Sequence, residues 1–262
     1  MRLASMCAVL GALASLIPAA RADEWNKRWS VGAKPELRIF AGDAAVTVEG
    51  TERDQIEAVA TTRGWKIGPS GVQVNDRQVG NRVEIEIRVP TMHISFGMHS
   101  VRLEVRVPRE LTADIHTGDG SITLRELHGP LRVDTGDGSI QAEDLDGSLD
   151  AHTGDGSVRV SGRFDAVRLH TQDGSVELEA MRGSRMQSEW RVQTGDGSVR
   201  LSLPSDLAAD MELRTGDGRI HTNLPITVNG MQSEHELHGK LNGGGQLLSV
   251  RTGDGSITVS SS

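Results

Sequence analysis

The sequence predicts an all-β fold, a two-sheeted parallel β-solenoid with about 18 residues per coil. Three observations predict it. The hexapeptide Thr117-Gly118-Asp119-Gly120-Ser121-Ile122 returns in close copies beginning at Thr135, Thr153, Thr171, Thr194, Thr215 and Thr252, with gaps of 18, 18 and 18 residues, then 23, 21 and 37. Apolar and polar residues alternate between the copies, and no stretch sustains the apolar period of a long helix. A fixed period near twenty is the signature of coils that cannot bury an apolar face singly and therefore stack, each supplying the next one's hydrogen bonds.

Comparison of the copies shows what each corner requires. The Asp and the second Gly stand in all seven, whereas Gln172 replaces the first Gly and Arg219 the Ser. Asp-Gly suits a tight turn, because Gly takes positive φ without a Cβ clash and Asp can bond its own backbone two residues on. Between corners, Ile122 and Leu124 alternate with polar neighbours, residues 127–130 break the chain, and Leu131 and Val133 alternate again. Two turns and two strands of about six residues thus fill one coil.

In chain order, residues 1–22 read as a cleaved secretory signal: Arg2, an apolar run over residues 3–16, Pro18 and the small-x-small site Ala20-Arg21-Ala22, leaving Asp23 first. The protein is accordingly expected to be exported to the periplasm, the cell surface or the medium, with no membrane span after cleavage. Cys7 is the only cysteine and leaves with the signal, so neither a disulfide nor a thiolate metal site is expected. Without Arg2 and Arg21 there remain 26 basic and 36 acidic residues, a net charge of −10. That balance argues against nucleic acid or anionic lipid as the main partner.

Residues 23–110 form a β-rich part without the strict repeat, continuous with the solenoid of residues 111–262. Val83, Ile85, Ile87 and Val89 alternate with charged residues, as do Val101, Leu103, Val105 and Val107, so both stretches read as half-buried strands. Residues 41–46 resemble a worn copy of the corner, placing the first coil ahead of the clear repeats, with Trp25 and Trp29 as its cap. One helical turn is expected near residues 207–211. Because the chain stops directly after the last strand, part of residues 221–245 is expected to fold over the final rung, turning at Asn229-Gly230 and Asn242-Gly243; otherwise two molecules would meet edge to edge through that strand.

Repeated Thr-Gly-Asp-Gly-Ser-Ile, Leu203-Pro204 and Leu241-Asn242-Gly243-Gly244-Gly245 resemble the bacterial putative-adhesin family of β-strand-repeat proteins, a domain of unknown function. The resemblance implies a β-repeat architecture over most of the mature chain. It brings no catalytic residues to transfer.

The polar residues that repeat or cluster are each open to two readings. The row Asp119, Asp137, Asp155, Asp173, Asp196, Asp217 and Asp254 is either a set of structural Asx-turns or a ladder of calcium ligands. The Gly-Gly-x-Gly-x-Asp order of calcium-binding rolls is absent, which favours the turns. His116, His152 and His170 each precede a corner Thr, so His152 and His170 should stack on adjacent rungs; with Asp134 interrupting the column, a solvated pair is expected rather than a metal site. The segment Met92 to His99 has the composition of a soft-copper site or of a loop tucking Ile94 and Phe96 into the core, the latter being expected. Residues 181–190 form either a partner-binding bulge or a lid, and Trp190 falls where Leu131 falls in its own repeat, a core position.

No nucleophile elbow, zinc-type His cluster or phosphate-binding glycine loop is present. No catalytic, cofactor-binding or metal residue is therefore assigned, and no cofactor is expected. The expected function is that of a non-enzymatic adhesin or envelope binding and structural module, with a protein or glycan as partner. A carbohydrate-active β-helix enzyme is the alternative, and would need acids converging in a cleft formed by residues 63–82, 180–190 and 221–246.

Overall fold

A computed structural model describes residues 23–90, 99–228 and 233–262. Residues 1–22, where a signal is expected, Asn229-Gly230 and the Met-His segment apart from His99 lie outside the described residues. Within them the chain is entirely β, with no helix, and so none long and apolar enough to cross a membrane. The turn expected near residue 207 is closed by one bond from the Leu207 amide to the Pro204 carbonyl (3.0 Å), after which strand begins. A single bond cannot nucleate a helix.

All 21 strands belong to one open, mostly parallel sheet, and within it the pairings follow two ladders. One begins with three antiparallel-paired strands, β1 (Asp23–Ser30), β4 (Gln55–Arg63) and β7 (Ser100–Pro108). It continues in parallel through β3 (Ala45–Thr51), β9 (Ile122–Arg125), β11 (Ile140–Thr153), β12 (Val158–His170), β13 (Val176–Ala180), β15 (Val199–Leu203), β21 (Ile257–Ser261) and β17 (Ile220–Thr222). The other begins antiparallel with β5 (Gln73–Val79) on β6 (Arg82–Arg88). It runs in parallel through β2 (Glu36–Phe40), β8 (Thr112–Thr117), β10 (His128–Thr135), β11, β12, β14 (Trp190–Gln193), β20 (Leu247–Thr252) and β16 (Ala209–Thr215). It ends antiparallel with β19 (Glu236–Leu241) and β18 (Ile226–Val228). Strands β11 and β12 are long enough to belong to both ladders.

Register follows the repeat where the gaps are 18: Ile122 pairs with Ile140, Ile140 with Val158 and Val158 with Val176. The break expected at residues 127–130 persists in later rungs only as a bend. Strand β11 stays continuous over 14 residues, with Asp144 and Gly147 at positive φ (54° and 123°) and register shifts beside each. Such bulges turn a strand without ending it.

Inward residues stack as columns. Leu131, Leu149 and Val167 are register partners and fully or nearly buried, and Trp190, with no exposed surface, carries their column to Leu248. Trp190 also meets the Phe164 ring edge-on at 6.3 Å and donates its indole N–H to the Asp165 carbonyl at 3.3 Å. The alternation read at Val83–Ile87 and Val101–Val107 appears as alternately buried strands. Strand β1, bearing Trp25 and Trp29, lies outermost on its ladder, with the Trp29 N–H 3.3 Å from the Asp76 carboxylate.

The chain does not stack in sequence order at its C-terminal end. Strand β21 is paired on both sides, by β15 and β17, and β20 lies between β14 and β16. The last repeat is therefore an interior rung, and its strand offers no free edge for a second molecule. Residues 236–243 supply a cover, but on the Thr215 rung: β19 runs antiparallel along β16 and turns back through Asn242 and Gly243, both at positive φ (48° and 89°).

Candidate functional site

The repeated corner is the first place to look for chemistry, because its polar groups recur on successive rungs. Each corner Thr hydroxyl donates to the carbonyls at the first- and second-glycine positions of the motif one rung below. Thr135 reaches Gly118 and Gly120 at 2.9 Å each, and Thr171 reaches Gly154 and Gly156 at 2.9 Å each. Thr117 does the same to Gly42 (2.6 Å) and Ala44 (2.9 Å), which makes residues 41–46 a working corner. The amide of the first Gly donates to its counterpart below, as from Gly154 to Gly136 (2.5 Å). The corner thus satisfies its own backbone rung by rung. These threonines are buried (0–8% exposed), a role that the emphasis on Asp-Gly missed, although Thr too opens all seven copies.

The corner glycines are required for a different reason from the one expected. None of Gly120, Gly138, Gly156 and Gly174 has a positive φ; instead a Cβ at any of them would strike the backbone carbonyl of the rung below. The first glycine is less confined. At Gly136 the nearest atoms to a Cβ are the Asp119 carboxylate and the Gly118 carbonyl, both at 2.9 Å. That margin fits the presence of Gln172 at the equivalent position.

The corner carboxylates do not form the expected Asx-turns. Asp119, Asp137, Asp155, Asp173, Asp196, Asp217 and Asp254 are exposed and make no hydrogen bond or ion pair among the described residues. Asp119 leans instead over the first Gly of the next rung, near enough that a Cβ on Gly136 would touch it. The described residues contain no group of three or more His, Cys, Asp or Glu able to hold a metal ion.

His152 and His170 stack as the spacing predicts, with ring centroids 4.7 Å apart and planes 10° from parallel. Burial, and secondarily the charge of His152, lowers the pKa of His170 below that of a free imidazole. His116 stacks on Phe40 at 5.3 Å and places Nε2 2.8 Å from the Asp114 carboxylate. His99 packs its ring against Trp65 at 4.9 Å.

The three segments proposed for a cleft do not meet. Residues 73–79 form the outer strand at one end of a ladder and residues 226–228 the outer strand at the other. Residues 181–187 fold back on β12, where the Ser184 hydroxyl accepts from the Phe164 amide (3.0 Å) and donates to the Met181 carbonyl (2.8 Å).

A concavity lies on the outward face of β8, β10, β11 and β12, a shallow groove of about 420 Å³. Its floor is a lane of small side chains, Thr112, Pro130, Ser148 and Ala166. One wall is a register column of alternating sign: Arg38, Asp114, Arg132, Asp150 and Arg168. The alternation arises because five consecutive rungs place a charged residue at the same outward position. Nothing in the periodicity of the corners indicated it; the signal is charge compared at the 18-residue offset.

Residues 35–260 match the family model described as Toastrack DUF4097. Solved structures match at low identity. A putative cell adhesion protein from Clostridium sporogenes is 15% identical over 92% of this chain and 100% of its own, with a TM-score of 0.43. A putative adhesin from Parabacteroides merdae is 11% identical over 90% and 96%, TM-score 0.47. A putative lipid binding protein from Parabacteroides distasonis is 14% identical over 90% and 96%, TM-score 0.44. No match to a curated protein was found.

Proposed function

The chain belongs to the Toastrack DUF4097 family, and from that premise we propose a non-enzymatic, exported β-solenoid that serves as an adhesin or as a binding or spacer module of the cell envelope. Its finer architecture is a two-sheeted coil of about 18 residues, a reading supported by the repeated register offset between Ile122, Ile140, Val158 and Val176. The observation that carries the functional reading is the use of the repeated polar residues. The Thr hydroxyls and glycine amides hold rung to rung, which leaves the outward sheet face and its groove as the surface for a partner. The partner is a protein or glycan of the envelope or of a neighbouring surface; a net charge of −10 after signal removal disfavours nucleic acid.

The test is to fractionate cells expressing the full chain and to co-sediment residues 23–262 with isolated envelopes. Recovery in the exported fraction with saturable co-sedimentation supports the reading, and a cytoplasmic protein that ignores envelopes overturns it. One observation favours a second reading, stabilisation by calcium: the unpaired row of corner carboxylates. A chelator-induced fall in melting temperature that added calcium reverses would establish it, since a ligand that binds only the folded state raises its stability.

A further inference from the structure

Four carboxylates line the groove, and each has a basic or imidazole neighbour. Glu36 lies 2.7 Å from Arg38, Asp114 2.8 Å from His116, Asp150 3.3 Å from Arg168 and Glu189 2.8 Å from Arg191. Arg132, at the centre of the charged wall and exposed, has no ion-pair or hydrogen-bond partner among the described residues. The groove thus presents one guanidinium whose donors are not engaged within the described residues, flanked in register by Asp114 and Asp150, with Arg38 and Arg168 two rungs away on either side in the same column.

Two rungs of a parallel ladder span about 9.6 Å. The sugars of an extended linear polysaccharide are each roughly as long as one rung, so a chain lying in the lane keeps step with the wall. An acid on every second sugar then meets Arg38, Arg132 and Arg168 in turn. The intervening neutral sugars set hydroxyl donors against Asp114 and Asp150. An acid on every sugar would instead face those two carboxylates, and a neutral polymer would offer the Arg132 donors no carboxylate to bond.

We propose that this groove binds a linear acidic polysaccharide carrying a carboxylate on alternate sugars, with Arg132 as the central anchor. The proposal rests on the reading of the chain as a binding module. A guanidinium fork matches a carboxylate in two parallel hydrogen bonds, which gives both strength and orientation. The lane of small side chains lets the polymer approach the sheet, as the alternating wall fixes its register. The corner carboxylates stand off, Asp137 being five residues along from Arg132, on the order of 15 Å and beyond a Debye length of about 8 Å at physiological ionic strength; the near carboxylates, Asp114 and Asp150 one rung to either side of Arg132, are those that face the hydroxyls of the neutral sugars.

The test is calorimetric titration of residues 23–262 with three oligosaccharides of matched length: hyaluronan (acid on alternate sugars), oligogalacturonate (acid on every sugar) and a neutral dextran. Saturable binding is expected for hyaluronan alone, weakening by about tenfold in Arg132→Ala, the loss expected when a charge-assisted pair goes. Arg102→Ala, an exposed arginine on the other ladder, should bind as the parent does, and both variants should keep the parental melting temperature. Equal binding of hyaluronan and oligogalacturonate, or insensitivity to Arg132→Ala, would overturn the proposal. If no oligosaccharide binds while envelope co-sedimentation persists, or if protease treatment of the envelope abolishes co-sedimentation, the glycan assignment is wrong and the binding-module reading stands. If envelopes do not bind either, the latter fails as well.

Discussion

Thr252 donates its hydroxyl to the carbonyl of Gly197, 2.7 Å away and 55 residues earlier in the chain. The repeat that comes last in sequence is thereby seated on the Thr194 rung, and Thr215 sits above it, bonding the Gly255 carbonyl at 2.7 Å. A cysteine pair in residues 23–262 can test that order, because that stretch has no cysteine of its own. Arg200 and Thr258 are exposed register partners, whereas Arg200 and His221, which sequential stacking would make neighbours, are separated by the rung of Thr258. R200C/T258C should oxidise readily to an intramolecular disulfide. R200C/H221C should not, since two rungs put the Cα atoms about 9.6 Å apart, beyond disulfide reach. Mass spectrometry after mild oxidation reads both, and the reverse pattern would contradict the rung order.

The corner hydroxyl should be worth a measurable share of stability. Thr153 bonds the Gly136 and Gly138 carbonyls at 3.2 and 2.8 Å and is fully buried. Thr153→Val keeps the shape and leaves a buried acceptor unsatisfied, so urea unfolding should show a loss of about 1–3 kcal/mol. Thr153→Ser should retain most of it.

Gly138 and Gly136 should differ sharply. An Ala Cβ at Gly138 would overlap the Gly120 carbonyl, and the rungs must part to admit it, whereas at Gly136 the nearest atoms lie 2.9 Å away and include the movable Asp119 side chain. Gly138→Ala should cost several kcal/mol, in the range of severe overpacking, and Gly136→Ala distinctly less. Equal melting temperatures for the two variants would refute the close-approach account.

How far the sequence revealed this fold can be judged from individual residues. Trp190, His152 and His170 were placed correctly because the 18-residue period locates a side chain once one rung is known. The corner glycines were recognised but misread: composition says that Gly is needed and cannot separate positive φ from a carbonyl pressing on Cα. The order of β20 and β16 was hidden, because spacing along the chain carries no information about a strand that returns to fill a slot between earlier ones. The groove stayed invisible for a related reason. Its alternating wall becomes legible only when Arg38, Asp114, Arg132, Asp150 and Arg168 are read across rungs rather than along strands.

Acidification should weaken the stacked imidazoles before it reaches the carboxylates. Burial and then the charge of His152 depress the folded-state pKa of His170 below the ordinary imidazole value of about 6.5. The unfolded chain therefore binds the proton more readily, so this contribution is fully present above about pH 6.5 and is lost as pH falls through and below that value. Glu84 and Glu236, lowered chiefly by hydrogen bonds from Arg77 and His238, lose their contributions only at lower pH, below the ordinary carboxylate range. The melting temperature should decline between pH 7.5 and 5.5, and the decline should be shallower in His170→Asn. An identical slope in the variant would show that the pair does not titrate with folding.

The central claim is that this solenoid binds an envelope component without altering it. The most direct measurement immobilises residues 23–262, passes solubilised protein and glycan fractions of the envelope over them, and follows both retention and the chain length of what is eluted. The account predicts saturable retention of one fraction, recovered at its original length. Release of shortened or chemically altered material, or retention of nothing from any fraction, would contradict it.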